Sequence, residues 1–270
     1  MVSKSGARRA RQGVSPGPPQ DLRGCTRGWT PARRETGTRL AAITTSLAIA
    51  SAIVVIAGHL LNELAFDGSI SELDARQEGN SFTWASTVAA FAGALAATLH
   101  ALLLEAHRVK LGLMAAALAL ISFDDLVRLH ERLGGRLADG LDLPDAIAEG
   151  AELLLFAPLL LGTLIVGWLL VGELSAKPAR QLRLGLSLLV VAVVLEVFGA
   201  PTRAAAESGA DWSNELRIAL EEGVELAGLI IVGGTLVGLL CESLIRSAVS
   251  SGPALKRGSE PDPVSEHATG

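Results

Sequence analysis

Asp124, Asp125, His130 and Glu131 stand within eight residues of one another in the stretch "SFDDLVRLHE". They follow "LGLMAAALALI", which is apolar throughout. A second acidic group, Glu221, Glu222 and Glu225, lies in "ALEEGVELAG". Carboxylates with a histidine can hold a cation, pass protons or pair with arginine. Oxygen-rich sets with one imidazole suit Mg²⁺, Mn²⁺, Ca²⁺ or non-haem iron better than structural zinc. Asp124, His130, Glu131, Glu222 and Glu225 are therefore candidate ligands for a divalent cation. Asp125, Arg128, Glu152, Glu196, Arg217, Glu221 and His59 form a secondary polar cluster around them.

What must position these residues is a membrane bundle. Half of the 270 residues are hydrophobic and 19% are charged, a membrane composition. Six segments read as spans, approximately 40–61, 83–104, 111–130, 150–172, 184–200 and 216–241. The expected fold is all-α: a polytopic bundle of six transmembrane helices over 40–247. Tails at 1–39, basic, and 248–270 are expected to be disordered. The first span reads as an uncleaved anchor. "LGGRLADGLDLPDAIAEG" reads as an outer loop, with Pro144 opening the next helix.

The basic residues give the orientation. Of 23 Lys and Arg, seventeen fall on one side of a six-span topology, and Arg76, Arg128, Arg132, Arg136, Arg203 and Arg217 on the other. Both termini should therefore face the cytoplasm. Abundant Ala, Gly, Leu and Arg look like a GC-rich genome, and the expected location is a bacterial inner membrane. Cys25 and Cys241 make no CxxC pair or disulfide framework.

At 1.5 Å per residue, Asp124 and Asp125 lie about 21–22 Å above Lys110, and His130 and Glu131 about 30 Å. Glu225 lies about 25 Å above Glu242, and Glu221 and Glu222 about 30 Å. Glu196 is about 20 Å above Arg183, Glu152 about 31 Å above Glu173, and His59 about 30 Å above Arg39. The hydrocarbon core is about 30 Å thick, so acids and histidines of five helices share its outer third. At about 100° per residue, Glu221, Glu225 and Glu222 make one face of the last span, and Ala219, Gly223, Ala227, Gly234 and Gly238 line the opposite one. Such a small-residue ridge admits close helix approach. The acidic faces of the third and last spans are expected to meet.

A carboxylate at membrane depth costs about 2.5–3.5 kcal/mol on insertion scales. Three arrangements would offset this. One is an ion-pair network with Arg128, Arg132, Arg203 and Arg217; Asp124–Arg128 and Arg217–Glu221 have i,i+4 spacing. One is a bound cation, at a site acting on a lipid or small molecule. One is a proton or cation pathway through carboxylates of raised pKa, as in a coupled transporter. His59 and His100 sit at opposite depths, which suits single polar residues between helices better than a bis-His haem. No ExxH pair, HExxH, P-loop, Rossmann fingerprint or nucleic-acid module is present. The partners this leaves are the lipid bilayer and a small-molecule or lipid substrate.

A helix ending in Ser122, Asp124, Asp125, His130 and Glu131, followed by one with Glu221, Glu222 and Glu225, resembles uncharacterised bacterial multi-pass membrane proteins. They carry a DD/DExxxxHE helix and a later EExxE helix. The resemblance covers spans three to six and implies a membrane bundle without implying an activity. Intramembrane hydrolases of the alkaline-ceramidase type join acids and histidines across helices in a similar way, but their paired HxxxH is missing here.

Overall fold

A computed structural model describes residues 31–77, 79–103, 107–141, 145–205 and 212–250. The described residues are all-helical. In chain order they form α1 (Pro31–Phe66), a 3-10 turn (Ser71–Leu73), α2 (Ser81–Leu103), α3 (Arg108–Val127), α4 (Leu129–Leu141), α5 (Asp145–Val171), α6 (Ala176–Ala205) and α7 (Trp212–Ser250). Stretches of α1, α2 and α7, over Arg39–Phe66, Ser81–Leu103 and Trp212–Ile245, are long and apolar enough to cross a membrane. A shorter apolar stretch fills Phe156–Val171 of α5.

α7 is the hub. It packs on α1, α2 and α6, while α3 packs on α2 and α5. Glycines make its three contacts close. A Cβ on Gly223 would lie 3.3 Å from the Ala52 carbonyl oxygen of α1, and one on Gly234 would lie 2.3 Å from Thr44 Cγ2 of the same helix. Gly233 meets α2, where its Cβ would be 2.8 Å from the Ala89 oxygen. Gly228 meets α6, with its Cβ 3.1 Å from the Gly185 oxygen. The small ridge expected on the last span therefore receives α1. Little attracts apolar helices in lipid beyond packing, and small residues let backbones approach for it.

Leu226, Leu229, Ile231, Val232 and Leu236 of α7 are all buried, and its exposed large apolar residues lie at its ends, at Trp212, Leu216, Leu244 and Ile245. The surrounding helices are apolar on their outer faces: Ile53 and Val54 on α1, Phe91 and Leu95 on α2, Leu113 and Leu120 on α3, Leu161 and Ile165 on α5, Val190 and Val194 on α6. Most hydroxyls with a hydrogen bond in the bundle turn onto their own helices, while Ser122 of α3 donates to the Thr87 carbonyl of α2 at 3.0 Å. Thr45, Thr98, Thr163, Thr235 and Ser243 each donate to the carbonyl four residues earlier, as a dry surrounding requires.

Several expected boundaries shift. The described part of α1 is already helical at Pro31, inside the segment read as a disordered tail. α7 likewise runs to Ser250. α3 stops at Val127 because Arg128 takes a left-handed conformation (φ 54°), and its N–H donates to the Asp124 carbonyl at 2.7 Å. Most of the expected outer loop is helix: α4 carries Leu129, Leu133, Leu137 and Leu141 at i,i+4 spacing, and α5 starts at Asp145. Pro144 and both outer tails, 1–30 and 251–270, lie outside the described residues.

The glycine contacts give the first prediction. Gly233→Ala forces a methyl against the α2 backbone and should destabilise the protein by about 1–3 kcal/mol. Gly112→Ala has nothing within 4 Å to meet and should change stability by less than about 0.5 kcal/mol. Thermal melts of both variants in one detergent check this; equal melting temperatures would refute the close-contact account.

Candidate functional site

Among the described residues, a dense polar cluster lies where α1 ends, α7 begins and the connection from α1 to α2 crosses between them. His59 is fully buried in the last turns of α1. The Ala75 N–H donates to its Nδ1 at 3.1 Å. Because Nδ1 accepts, the ring proton of the neutral imidazole sits on Nε2. Nε2 lies 3.0 Å from Oε2 of Glu215 and donates to it. Glu215 stands in the first turn of α7, where the helix dipole favours an acid.

Arg76 gathers the carboxylates. Its Nε donates to Asp74 Oδ1 at 3.0 Å and its Nη1 to Glu215 Oε1 at 3.3 Å, while Nη2 pairs with Glu63 Oε1. One planar guanidinium with several donors can serve three acids; an ammonium has no such fork. Gly68 makes room, since a Cβ there would lie 2.9 Å from Glu63 Oε1, and its φ of +69° suits glycine. Asp74 is buried. It also accepts the Arg76 backbone N–H at 3.0 Å and the Gln77 amide at 2.9 Å.

Burial by itself would push the Asp74 carboxyl up. The hydrogen bonds and charge of Arg76, with the Gln77 amide, outweigh it and hold the group below its ordinary pKa. Burial likewise works against the Arg76 charge, and Asp74, Glu215 and Glu63 together raise its pKa above the usual value.

Two buried asparagines fix the loop that carries Asp74 and Arg76. The Asn62 amide donates to the Ile70 carbonyl at 3.1 Å and accepts the Ile70 N–H at 3.0 Å. Asn80 caps α2 by accepting the N–H groups of Phe82 and Thr83 at 2.7 and 2.8 Å, and it donates to the carbonyls of Asp74 and Gln77. These side chains supply the partners that an irregular buried backbone needs.

His59, Glu63 and Asp74 offer atoms all within 4.8 Å of one another, a spacing that could hold a metal ion. The hydrogen bonds argue against it. Nδ1 already accepts from Ala75, Nε2 carries the proton, and Asp74 Oδ1 and Glu63 Oε1 face the guanidinium. Arg76 occupies the electrostatic position that a cation would take.

The residues expected from sequence come from several helices toward this end. His59 is in the cluster. Arg217 pairs with Glu221 at 2.5 Å, donates to the Leu195 carbonyl of α6 at 3.2 Å and holds Asn214. Glu196, Glu222 and Glu225 are half-buried on α6 and α7. Asp124 is buried in the last turn of α3, and Asp125 is half-buried beside it. Arg128 approaches the α1–α2 connection, with Nη2 3.9 Å from where a Gly79 Cβ would stand. His130 and Glu131 lie in the first turn of α4 and Glu152 in α5; their side chains are outside the described residues. α2 packs on both α3 and α7, and at its Gly93 it stands between them, against Gly233 and Leu118.

Sequence reasoning missed Asp74, Arg76 and Glu215. The signal was present as an acid and an arginine two apart in an otherwise short connection, at the level of His59. At the other end, His100 accepts from or donates to Ser243 Oγ at 2.9 Å. There His107 and Lys110 meet Glu173.

The Asp74 shift has a pH consequence. A folded-state pKa below the unfolded value near 3.9 adds stability above about pH 4, lost as pH falls through the folded value. Asp74→Asn should therefore cost stability at neutral pH, and its deficit relative to the parent should shrink below about pH 4. Melts of both proteins across that range test it; a constant deficit would contradict it.

The model of the family described as "Domain of unknown function (DUF8692)" matches residues 41–239. No curated protein and no solved structure matches the chain. The match runs from the start of the apolar part of α1 nearly to the end of the apolar part of α7, so the chain belongs to the DUF8692 family.

Proposed function

We propose that the chain is a six-span integral membrane protein of a bacterial inner membrane, whose outer-end acids form an arginine-centred ion-pair network that fixes the outer connections. α1, α2, α3, α5, α6 and α7 are the spans, both termini are cytoplasmic, and α4 lies at the outer surface. The apolar outward faces of α3, α5 and α6 support this count beside the three strongest spans. α4 suits the interface, with exposed Leu133, Leu137 and Leu141 on one side and Arg132 and Arg136 on another.

The observation that carries the network reading is the Arg76 guanidinium, which meets Asp74, Glu215 and Glu63 at once. Arg217–Glu221 repeats the pattern on α7. Removing one partner of a buried pair costs about 3–5 kcal/mol, and an exposed pair is worth under about 1. The Arg76 side chain is 40% exposed, so Arg76→Gln should cost about 1–3 kcal/mol. Arg76→Lys should recover only part of this, and a chelator should leave the parent's melting temperature unchanged. A stable Arg76→Gln variant, or a parent that chelator destabilises, would sink the network reading.

A second reading has its own observation. Three carboxylates share one guanidinium, so the cluster keeps an excess of negative charge. A divalent cation or a proton would balance it, at His59, Glu63 and Asp74 or at Asp124, His130, Glu131, Glu222 and Glu225. The site would then act on a lipid or small molecule, or couple transport to the cation. Stoichiometric metal in purified protein, lost in Asp74→Asn or Asp124→Asn, would favour this reading.

Orientation is tested with single cysteines in a background lacking Cys25 and Cys241. A membrane-impermeant maleimide added outside cells should label Ser71→Cys and spare Ala176→Cys; both positions are exposed. The reverse pattern would overturn the orientation.

A further inference from the structure

At the end opposite Arg76, an apolar groove of about 350 Å³ opens on the outer face between α5 and α6. Ile165, Trp168 and Leu169 of α5 form one wall; Leu186, Ser187 and Val190 of α6 form the other. Its lining is apolar apart from Ser187. Trp168 is 58% exposed and Ile165 52%. Gly167 keeps the floor low, because a Cβ there would lie 2.8 Å from the Leu186 methyls.

The charges next to this groove are not scattered. At about 100° per residue, Arg183 projects from α6 on the same face as Leu186, Ser187 and Val190, about 6 Å along the axis from Ser187. Arg180 follows one turn further and about 60° around. Both are exposed. Glu173, an acid at this end, is already engaged by Lys110 and His107. The apolar groove therefore lies one helical turn from two exposed arginines, Arg180 and Arg183, the latter with its Nε 3.4 Å from the Ala179 carbonyl, at the depth where an aromatic residue marks the membrane interface.

We propose that this groove is a binding site for an anionic diacyl phospholipid, with one acyl chain along the α5–α6 groove and the phosphate on Arg183 and Arg180. The inference rests on the membrane-spanning reading given above. A zwitterionic lipid can fill the groove equally well with its chains. A net anionic headgroup gains more from the arginines, since each basic side chain near a bilayer surface favours anionic lipid by roughly fivefold. Arginine also matches a phosphate with two parallel donors.

Trp168 reports on the occupant directly. Trp29, Trp84 and Trp212 are replaced by Phe, and the protein is reconstituted in vesicles of fixed phosphatidylglycerol and phosphatidylcholine content. Bromine is placed on the acyl chains of one lipid or the other. Quenching of Trp168 should be about threefold or more stronger, per lipid present, when phosphatidylglycerol carries the bromine. The preference should vanish in Arg180→Gln/Arg183→Gln and survive in Arg180→Lys/Arg183→Lys. Equal quenching by both lipids in the parent overturns the anionic site and leaves the membrane placement standing. Quenching by neither overturns both. A preference unchanged in the double Gln variant overturns the role of the two arginines.

Discussion

The closeness of α1 to α7 sets the rest of the structure. Gly223, Gly234 and Gly238 lie along one side of α7, and side chains and backbone of α1 come to within van der Waals reach of the positions where Cβ atoms would stand. Apolar surface gives little net attraction between helices in lipid, so the contact must come from packing density. The same approach has an electrostatic result. It brings the last turns of α1 beside the first turn of α7, and only there can a fully buried His59 reach Glu215. A bulkier seam would part the helices and leave both groups buried without their partner.

Once His59 and Glu215 are joined, the connection between α1 and α2 has little freedom. Ala75 must present its N–H to Nδ1, which places Asp74 and Arg76 on either side of it. Arg76 then faces Glu63, Asp74 and Glu215 together. Asn62 and Asn80 close the two ends of the segment by taking the backbone groups that no helix satisfies. The imidazole thus works through its tautomer. It accepts on one side and donates on the other, linking a loop to a helix terminus. Neither a carboxamide of different reach nor a doubly protonated ring offers the same pair of bonds.

The long apolar segments were legible because their length and hydropathy leave few alternatives. So was the glycine and alanine ridge, because rotation by about 100° per residue is enough to find a face. The Arg217–Glu221 pair followed from i,i+4 spacing alone. The Arg76 cluster was not legible, because its members come from α1, a connection and α7, and no spacing in the sequence relates residue 59 to residue 215. Helix α4 was missed for another reason. Its two adjacent glycines and low hydropathy read as a loop, whereas the leucines at i,i+4 spacing give it one apolar helical side, and the helix packs on α5. Helix order in the bundle also escaped the sequence: at Gly93, α2 stands between α3 and α7, and a ruler of depth along each helix carries no information on which helices are neighbours.

The interior between the two polar ends limits what this conformation can do. Below the level of Glu225, α7 presents Leu226, Leu229, Ile231, Val232 and Leu236 to its neighbours, each at most 3% exposed. The buried hydroxyls in that region, such as Thr163 and Thr235, are turned onto their own helices. Among the described residues, the next buried imidazole after His59 is His100, which meets Ser243 near the opposite end. An ion leaving the Arg76 cluster inward would shed its hydration against close-packed aliphatic side chains, at a cost of several kcal/mol. Transport would require the α7 seams to part, and those seams are where glycine has removed the side chains that would hold helices apart. Among the described residues, the middle of the bundle around α7 is close-packed and aliphatic, and the polar clusters lie toward its two ends.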